Sequence, residues 1–223
     1  MNRVLLKEAL AKFFAGVILM ALLLFLPAGD WRWRGGWLLC ILLFVPMFLA
    51  GLIMLKKAPD LLRKRLDAKE KLGTQKAVIG LSGLMFVGGF VLAGLDHRFG
   101  WTSVPGWLVL LSALLFLTGY ALFAEVLREN AWLSRTIEVQ QGQQVVDTGL
   151  YGWVRHPMYS ATLLLFLSMP LILGSWAAFI VFLLYPPTIV KRLKSEEELL
   201  KRELSGYETY CEKVKYRLIP YIY

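Results

Sequence analysis

The sequence predicts an all-α polytopic membrane protein, with about four transmembrane helices followed by a C-terminal helical hairpin and a cytoplasmic tail helix. Three observations predict it. Hydrophobic residues make up 57% of the 223 and the mean hydropathy is positive, outside the range of ordinary soluble domains. Four stretches approach the roughly 20 apolar residues needed to cross a bilayer as helix. Residues 156–190 then form a long run without Asp, Glu, Lys or Arg.

The four spans are read at residues 13–27, 37–55, 77–95 and 104–127. Arg3, Lys7 and Lys12 ahead of the first resemble the charged lead of a signal peptide. No small-residue cleavage site follows and the chain stays hydrophobic, so a retained helix is expected. Trp31, Trp33, Trp37 and Trp101 fall near span ends, where they read as interfacial belt residues. The segment from Lys56 to Lys76 carries Pro59 and mixed charge. A headgroup-facing connector is favoured there over a short surface helix.

Charge sets the orientation. The formal net charge is +9, with eight basic residues from Lys56 to Lys76 and eight more from Lys191 onward. The loops placed outside hold only Arg32, Arg34 and Arg98. This positive-inside bias puts the N-terminus, the second loop and the tail in the cytoplasm. The basic residues are thus assigned to topology and anionic headgroups, and no nucleic-acid partner is expected. Cys40 lies in a span and Cys211 in the tail, so no disulfide is expected. Two histidines without a Cys/His cluster predict no metal.

After the fourth span the chain turns polar. Residues 136–139 read as extended and Asp147-Thr148-Gly149 as a turn. The uncharged run could be one tilted span or two helices joined near residues 170–174. A single span would place the basic tail outside, so a hairpin is expected. Its arms, 159–169 and 175–185, would each cover half to two-thirds of a roughly 30 Å core, with Pro186-Pro187 bending the exit helix. Both ends of the hairpin then share the cytoplasmic face, bringing Arg155-His156-Pro157 opposite Arg192 and Glu196.

Pro157 suits the first turn of a helix, and the preceding backbone amides would offer an anion site beside the planar fork of Arg155. Arg192–Glu196, Glu197–Lys201 and Glu198–Arg202 are spaced i,i+4, as in a surface helix laced with pairs worth about 0.3–0.5 kcal/mol each. That surface reading accounts for Glu197 and Glu198. It accounts less well for Arg192 and Glu196, which leave the membrane opposite Arg155 and are functional candidates by depth. Tyr207, Tyr210, Tyr216, Arg217 and Pro220 are expected to pack the tail onto the core.

Gln143-Gln144-Val145-Val146, Gly149-Leu150-Tyr151, Arg155-His156-Pro157-Met158-Tyr159, Arg192 with Glu196-Glu197 and Leu200, and Tyr207/Tyr210 together resemble the isoprenylcysteine carboxyl methyltransferase family. That family sits in a wider group with the membrane phospholipid methyltransferases. The similarity covers residues 130–223. It implies a helical membrane enzyme of one domain, with spans in residues 1–127 and the cofactor-binding, catalytic part in 128–223. It also implies S-adenosyl-L-methionine as cofactor and a lipophilic acceptor entering from the bilayer. Carried over by position, Gln140, Gln143, Gln144, Val145, Val146, Tyr151, His156, Pro157, Met158, Tyr159 and Glu196 would line the cofactor site. Arg192 would hold the substrate's acidic group, and Arg192, Glu196 and Arg155 would serve catalysis. Gln143 stands where many relatives have His, and Ala161 where Gly is common.

The ending from Tyr210 to Tyr221 also resembles the tail of sterol reductases, which implies NADPH as the alternative cofactor. A non-enzymatic scaffold or transporter is the third reading. Ionisable residues deep in several spans, or paired repeats, would favour a transporter, and the spans before Glu125 are nearly free of charge. A multi-pass location in a prokaryotic inner membrane is expected.

Overall fold

The computed structural model describes residues 3–66, 73–133 and 138–223. Its helices are α1 (Arg3–Ala28), α2 (Arg34–Lys57), α3 (Pro59–Leu66), α4 (Gly73–Phe99), α5 (Gly106–Glu129), α6 (Pro157–Ile172), α7 (Trp176–Phe182), α8 (Tyr185–Glu203) and α9 (Tyr207–Lys213). A 3₁₀ turn covers Gly149–Gly152. No strand occurs among the described residues. Among the described residues, five helices are long and apolar enough to cross a membrane, counting Trp176–Glu203 as one. The expected all-α polytopic architecture is therefore present.

The spans exceed the apolar stretches that revealed them. α1 begins at Arg3, because a helix continues through charged residues wherever its ends meet water or headgroups, while hydropathy marks only the hydrocarbon part. The hairpin arms are also longer than expected. α6 has 16 residues, about 24 Å of rise. The return arm breaks only at Leu183-Leu184 before Pro186 and Pro187 open α8. The connector expected after Lys57 is instead helix α3, where Leu62 is buried. Residues 67–72 lie outside the described part, as do 134–137, which include half of the stretch read as extended.

The closest helix packing pairs α5 with α6, α1 with α4 and α4 with α7. Small residues permit it. A Cβ at Gly119 would lie 3.1 Å from the Ala161 carbonyl and 2.9 Å from Leu165. Ala161, fully buried, thus faces the smallest possible neighbour. Phe25, Phe90, Phe116, Phe182 and Met169 fill the core between these helices.

The hairpin tip is fixed by a buried carboxylate. Asp96 of α4 accepts from the Thr102 amide (2.7 Å) and hydroxyl (2.5 Å), and from the Ser175 hydroxyl. Ser175 in turn caps α7 by accepting from the Ala178 amide. A carboxylate in apolar surroundings requires such partners. Nearby, Trp33 departs from the expected belt. It is buried, stacked on His97 at 4.7 Å and packed edge-on to Phe25. Trp31, Trp37 and Trp101 remain exposed.

The opposite end gathers the other polar elements. The start of α1 meets α3 through Lys12, which donates to the Leu66 carbonyl. Arg65 of α3 lies over Phe123 near the end of α5. α5 ends beside the Gly149–Gly152 turn, where Glu129 accepts from the Leu150 amide. α6 begins there, and α8 and α9 close the same end.

Candidate functional site

At this end the chain forms an open cleft of about 100 Å³. Four segments line it: the stretch after α5, the Gln143–Val146 loop, the turn and first residues leading into α6, and α8 with α9. Gln143, Gln144, Val145, Val146, Tyr151, Arg155, His156, Met158, Tyr159, Arg192 and Glu196 all meet at its wall. Gln140 and Pro157 lie behind it. Gln140 donates its side-chain amide to the Trp132 carbonyl and its backbone amide to Gln143 Oε1, fixing the loop. Pro157 is buried at the first turn of α6.

α8 brings the two mouths of the hairpin together. Tyr185, Ile189, Leu193 and Glu197 follow each other at i,i+4 and are all buried, so they form its inward column. Arg192 and Glu196 lie one step round the helix, half-buried at the cleft. The Tyr159 hydroxyl donates to Glu196 Oε2 (2.6 Å) and accepts from Arg192 Nε (3.1 Å). One buried phenol from α6 thereby sets the spacing of a cation and an anion on α8.

Glu197 contradicts the surface reading. Its side chain is 6% exposed; Arg155 Nε donates to Oε1 at 2.7 Å, His156 Nε2 lies 3.1 Å from that same oxygen, and Arg217 Nε donates to Oε2 at 2.9 Å. The bond to Glu197 raises the Arg217 pKa. Arg155 also donates to the Val214 and Lys215 carbonyls. Its guanidinium therefore joins α8 to the tail.

The expected anion site of backbone amides is engaged as well. The Arg155 and His156 amides donate to the Tyr216 and Arg217 carbonyls, both at 2.9 Å, and Ser160 Oγ donates to the Leu218 carbonyl. The tail thus docks along the entrance to α6, as its aromatic composition implied.

The aromatic wall combines packing with exposed chemistry. Tyr210 donates to the Tyr151 carbonyl, and Asn130 donates to the Tyr151 hydroxyl. Burial pushes the Tyr151 pKa up to about 12, so the phenol stays protonated. Tyr207 also lines the cleft and is 4% exposed, yet its hydroxyl has no hydrogen-bond partner among the described residues. Sequence reasoning assigned Tyr207 to packing alone. No local motif distinguishes its hydroxyl from that of Tyr210.

Gly149 supplies the turn that presents Tyr151. Its φ is +51°, and a Cβ there would overlap the Glu129 carboxylate. Gly149→Ala is therefore expected to destabilise the protein by about 1–3 kcal/mol. Thermal unfolding in detergent should show it, with Gly152→Ala, where the nearest contact is 3.3 Å, close to wild type.

A 91-residue stretch is 33% identical to Delta(14)-sterol reductase TM7SF2 of Mus musculus, covering 40% of this chain and 22% of that protein. The chain thus spans less than a quarter of that relative's length. Residues 107–205, which run from α5 through α8 and include Tyr159, Arg192, Glu196 and Glu197, match the phospholipid methyltransferase family model. Through that segment the chain is similar to the phospholipid methyltransferase family.

Proposed function

We propose that this protein is a membrane methyltransferase that uses S-adenosyl-L-methionine, held in the cleft, to methylate a lipid-like acceptor, with an isoprenylcysteine-type carboxylate the favoured class. The observation that carries the reading is the Tyr207 hydroxyl, buried and without a partner among the described residues, at the wall of a cleft that also holds the Glu196 carboxylate. A buried hydroxyl without a partner costs free energy that a ligand acceptor would recover.

The residues present fit the cofactor. Glu196 suits its cationic groups, Tyr151, Tyr210 and Met158 its apolar and aromatic parts, and the Gln143-Gln144 side chains its polar edges. When bound, it supplies an electrophilic methyl group on a positively charged sulfur. Tyr159 orients Glu196 towards the cleft and Arg192 beside it. Arg192 is placed to orient an acceptor carboxylate, which is already nucleophilic at neutral pH and needs no general base. An amine acceptor would need deprotonation, for which Glu196 is a candidate among the carboxylates lining the cleft. Positioning supplies much of the acceleration in such a displacement. Arg155 acts here by holding Glu197 and the tail rather than by meeting the acceptor.

The test is calorimetric titration of detergent-purified protein with S-adenosylhomocysteine. Saturable binding is expected. Tyr207→Phe should weaken it about three- to tenfold, the size of one neutral hydrogen bond, while leaving unfolding of the ligand-free protein unchanged or slightly improved. Unchanged affinity would remove Tyr207 from the cofactor contact. The match to a sterol reductase supports a second reading, an NADPH-dependent reductase. Binding of NADPH and not of S-adenosylhomocysteine would select it. Binding of neither by folded protein would favour a scaffold.

A further inference from the structure

The tail beyond α9 runs beside the entrance to the hairpin and in the same direction. The Tyr216 and Arg217 carbonyls meet the Arg155 and His156 amides, and the Leu218 carbonyl accepts from Ser160 Oγ at 2.6 Å. Ser160 lies three residues past Pro157. Leu218 therefore sits about 4.5 Å along α6, beside the uncharged run. It is buried in the core between the spans, and Tyr223 packs against that same core. Between the two the chain reverses. The Arg217, Leu218 and Ile219 amides all donate to the Tyr223 carbonyl, and the Tyr223 amide donates to that of Ile219. The turn at residues 219–222 is thus the farthest point the tail reaches along α6.

That turn is apolar and faces outward. Ile219 is exposed, and Tyr221 and Ile222 are 79% and 77% exposed. Tyr221 has a φ of +66°, uncommon for a bulky residue, and its ring lies 5.3 Å from that of Tyr216. Trp153, also exposed, stands two residues before Arg155 at the same end. Lys215, exposed as well, precedes the turn. A cation, then aromatic rings, then isoleucines is the order in which a chain meets water, headgroups and acyl chains. We propose that residues 219–222 are a membrane anchor, seated in the bilayer where headgroups meet acyl chains. These few exposed side chains fall well short of the roughly 20–30 residues a side that a stable protein partner engages. Anchoring reaches the cleft through two arginines. Arg155 and Arg217 tie the same tail to Glu197 on α8, and Arg155 lines the cleft. Lipid contact at the turn would steady that wall, whichever donor the cleft binds.

The experiment places the photoreactive residue p-benzoylphenylalanine at Tyr221 or Ile222 of the full chain. For comparison it is also placed at Glu212, exposed on α9. Proteoliposomes of phosphatidylcholine and phosphatidylglycerol are irradiated, and the products are resolved by mass spectrometry. With the probe at Tyr221 or Ile222, the main product should gain the mass of one lipid. With the probe at Glu212, little lipid should be attached. Tyr221→Asp, which puts a charge in the turn, should remove most of the lipid adduct formed at Ile222. Lipid adducts no more frequent at the turn than at Glu212 would overturn the proposal, as would adducts unaffected by Tyr221→Asp. A covalent dimer as the main product would overturn it too, marking the turn as a contact between copies.

Discussion

Replacing Glu197 with alanine is expected to destabilise the protein by about 3–5 kcal/mol, the cost of breaking a buried ion pair from one side. Two of its partners are as buried as Glu197 itself: the Arg155 and His156 side chains are 7% and 5% exposed. Without the carboxylate, the Arg155 charge would remain in the interior with only the Val214 and Lys215 carbonyls. The Arg217 side chain is 34% exposed and can regain water, which places the expected loss near the lower end of that range. The tail should loosen from the entrance of α6, because Arg155 and Arg217 both attach it through Glu197. Thermal unfolding in detergent measures the first effect, and protease sensitivity near Lys213 and Lys215 the second. Glu198→Ala on the exposed face should stay within about 0.5 kcal/mol of wild type. Equal behaviour of the two variants would mean that the network contributes no stability.

The contrast between these adjacent glutamates shows how far the sequence could be read. Hydropathy located the spans because lipid demands a continuous apolar stretch, and positive charge together with length indicated a returning hairpin. Both are properties summed over many residues. The inward face of α8 depends instead on the phase of one helix. Ile189, Leu193 and Glu197 stand at i,i+4, so the apolar column itself points Glu197 into the core. The equally regular spacing of Glu197 and Lys201 suggested an exposed pair and prevailed. Trp33 and α3 were missed for a related reason. A tryptophan near a span end, or a charged stretch after one, has the same composition whether it packs inward or faces headgroups. The motif residues of the cleft were legible as a set, but the Tyr207 hydroxyl is distinguished only in the folded chain, where it is buried without a partner among the described residues.

Arg192→Ala is expected to lower kcat/KM for a carboxylate acceptor by about 10²–10³, the usual cost of removing one preorganised donor from a reacting site, with S-adenosylhomocysteine binding retained. The reason lies in how the guanidinium is held. Arg192 Nε is directed at the Tyr159 hydroxyl, and that hydroxyl donates to Glu196. The planar group therefore has a fixed orientation relative to the carboxylate proposed to face the methyl donor. Arg192→Lys should rescue little, because an ammonium is a point charge without the fork geometry. Tyr159→Phe separates positioning from charge. It keeps both α8 side chains and removes the link between them, so turnover should fall while Arg192→Ala in that background costs less than in wild type. Such non-additivity is the signature of groups acting as a unit. Full additivity would mean that Tyr159 merely packs between α6 and α8. Unchanged turnover in Arg192→Ala would remove Arg192 from its role as the acceptor's anchor.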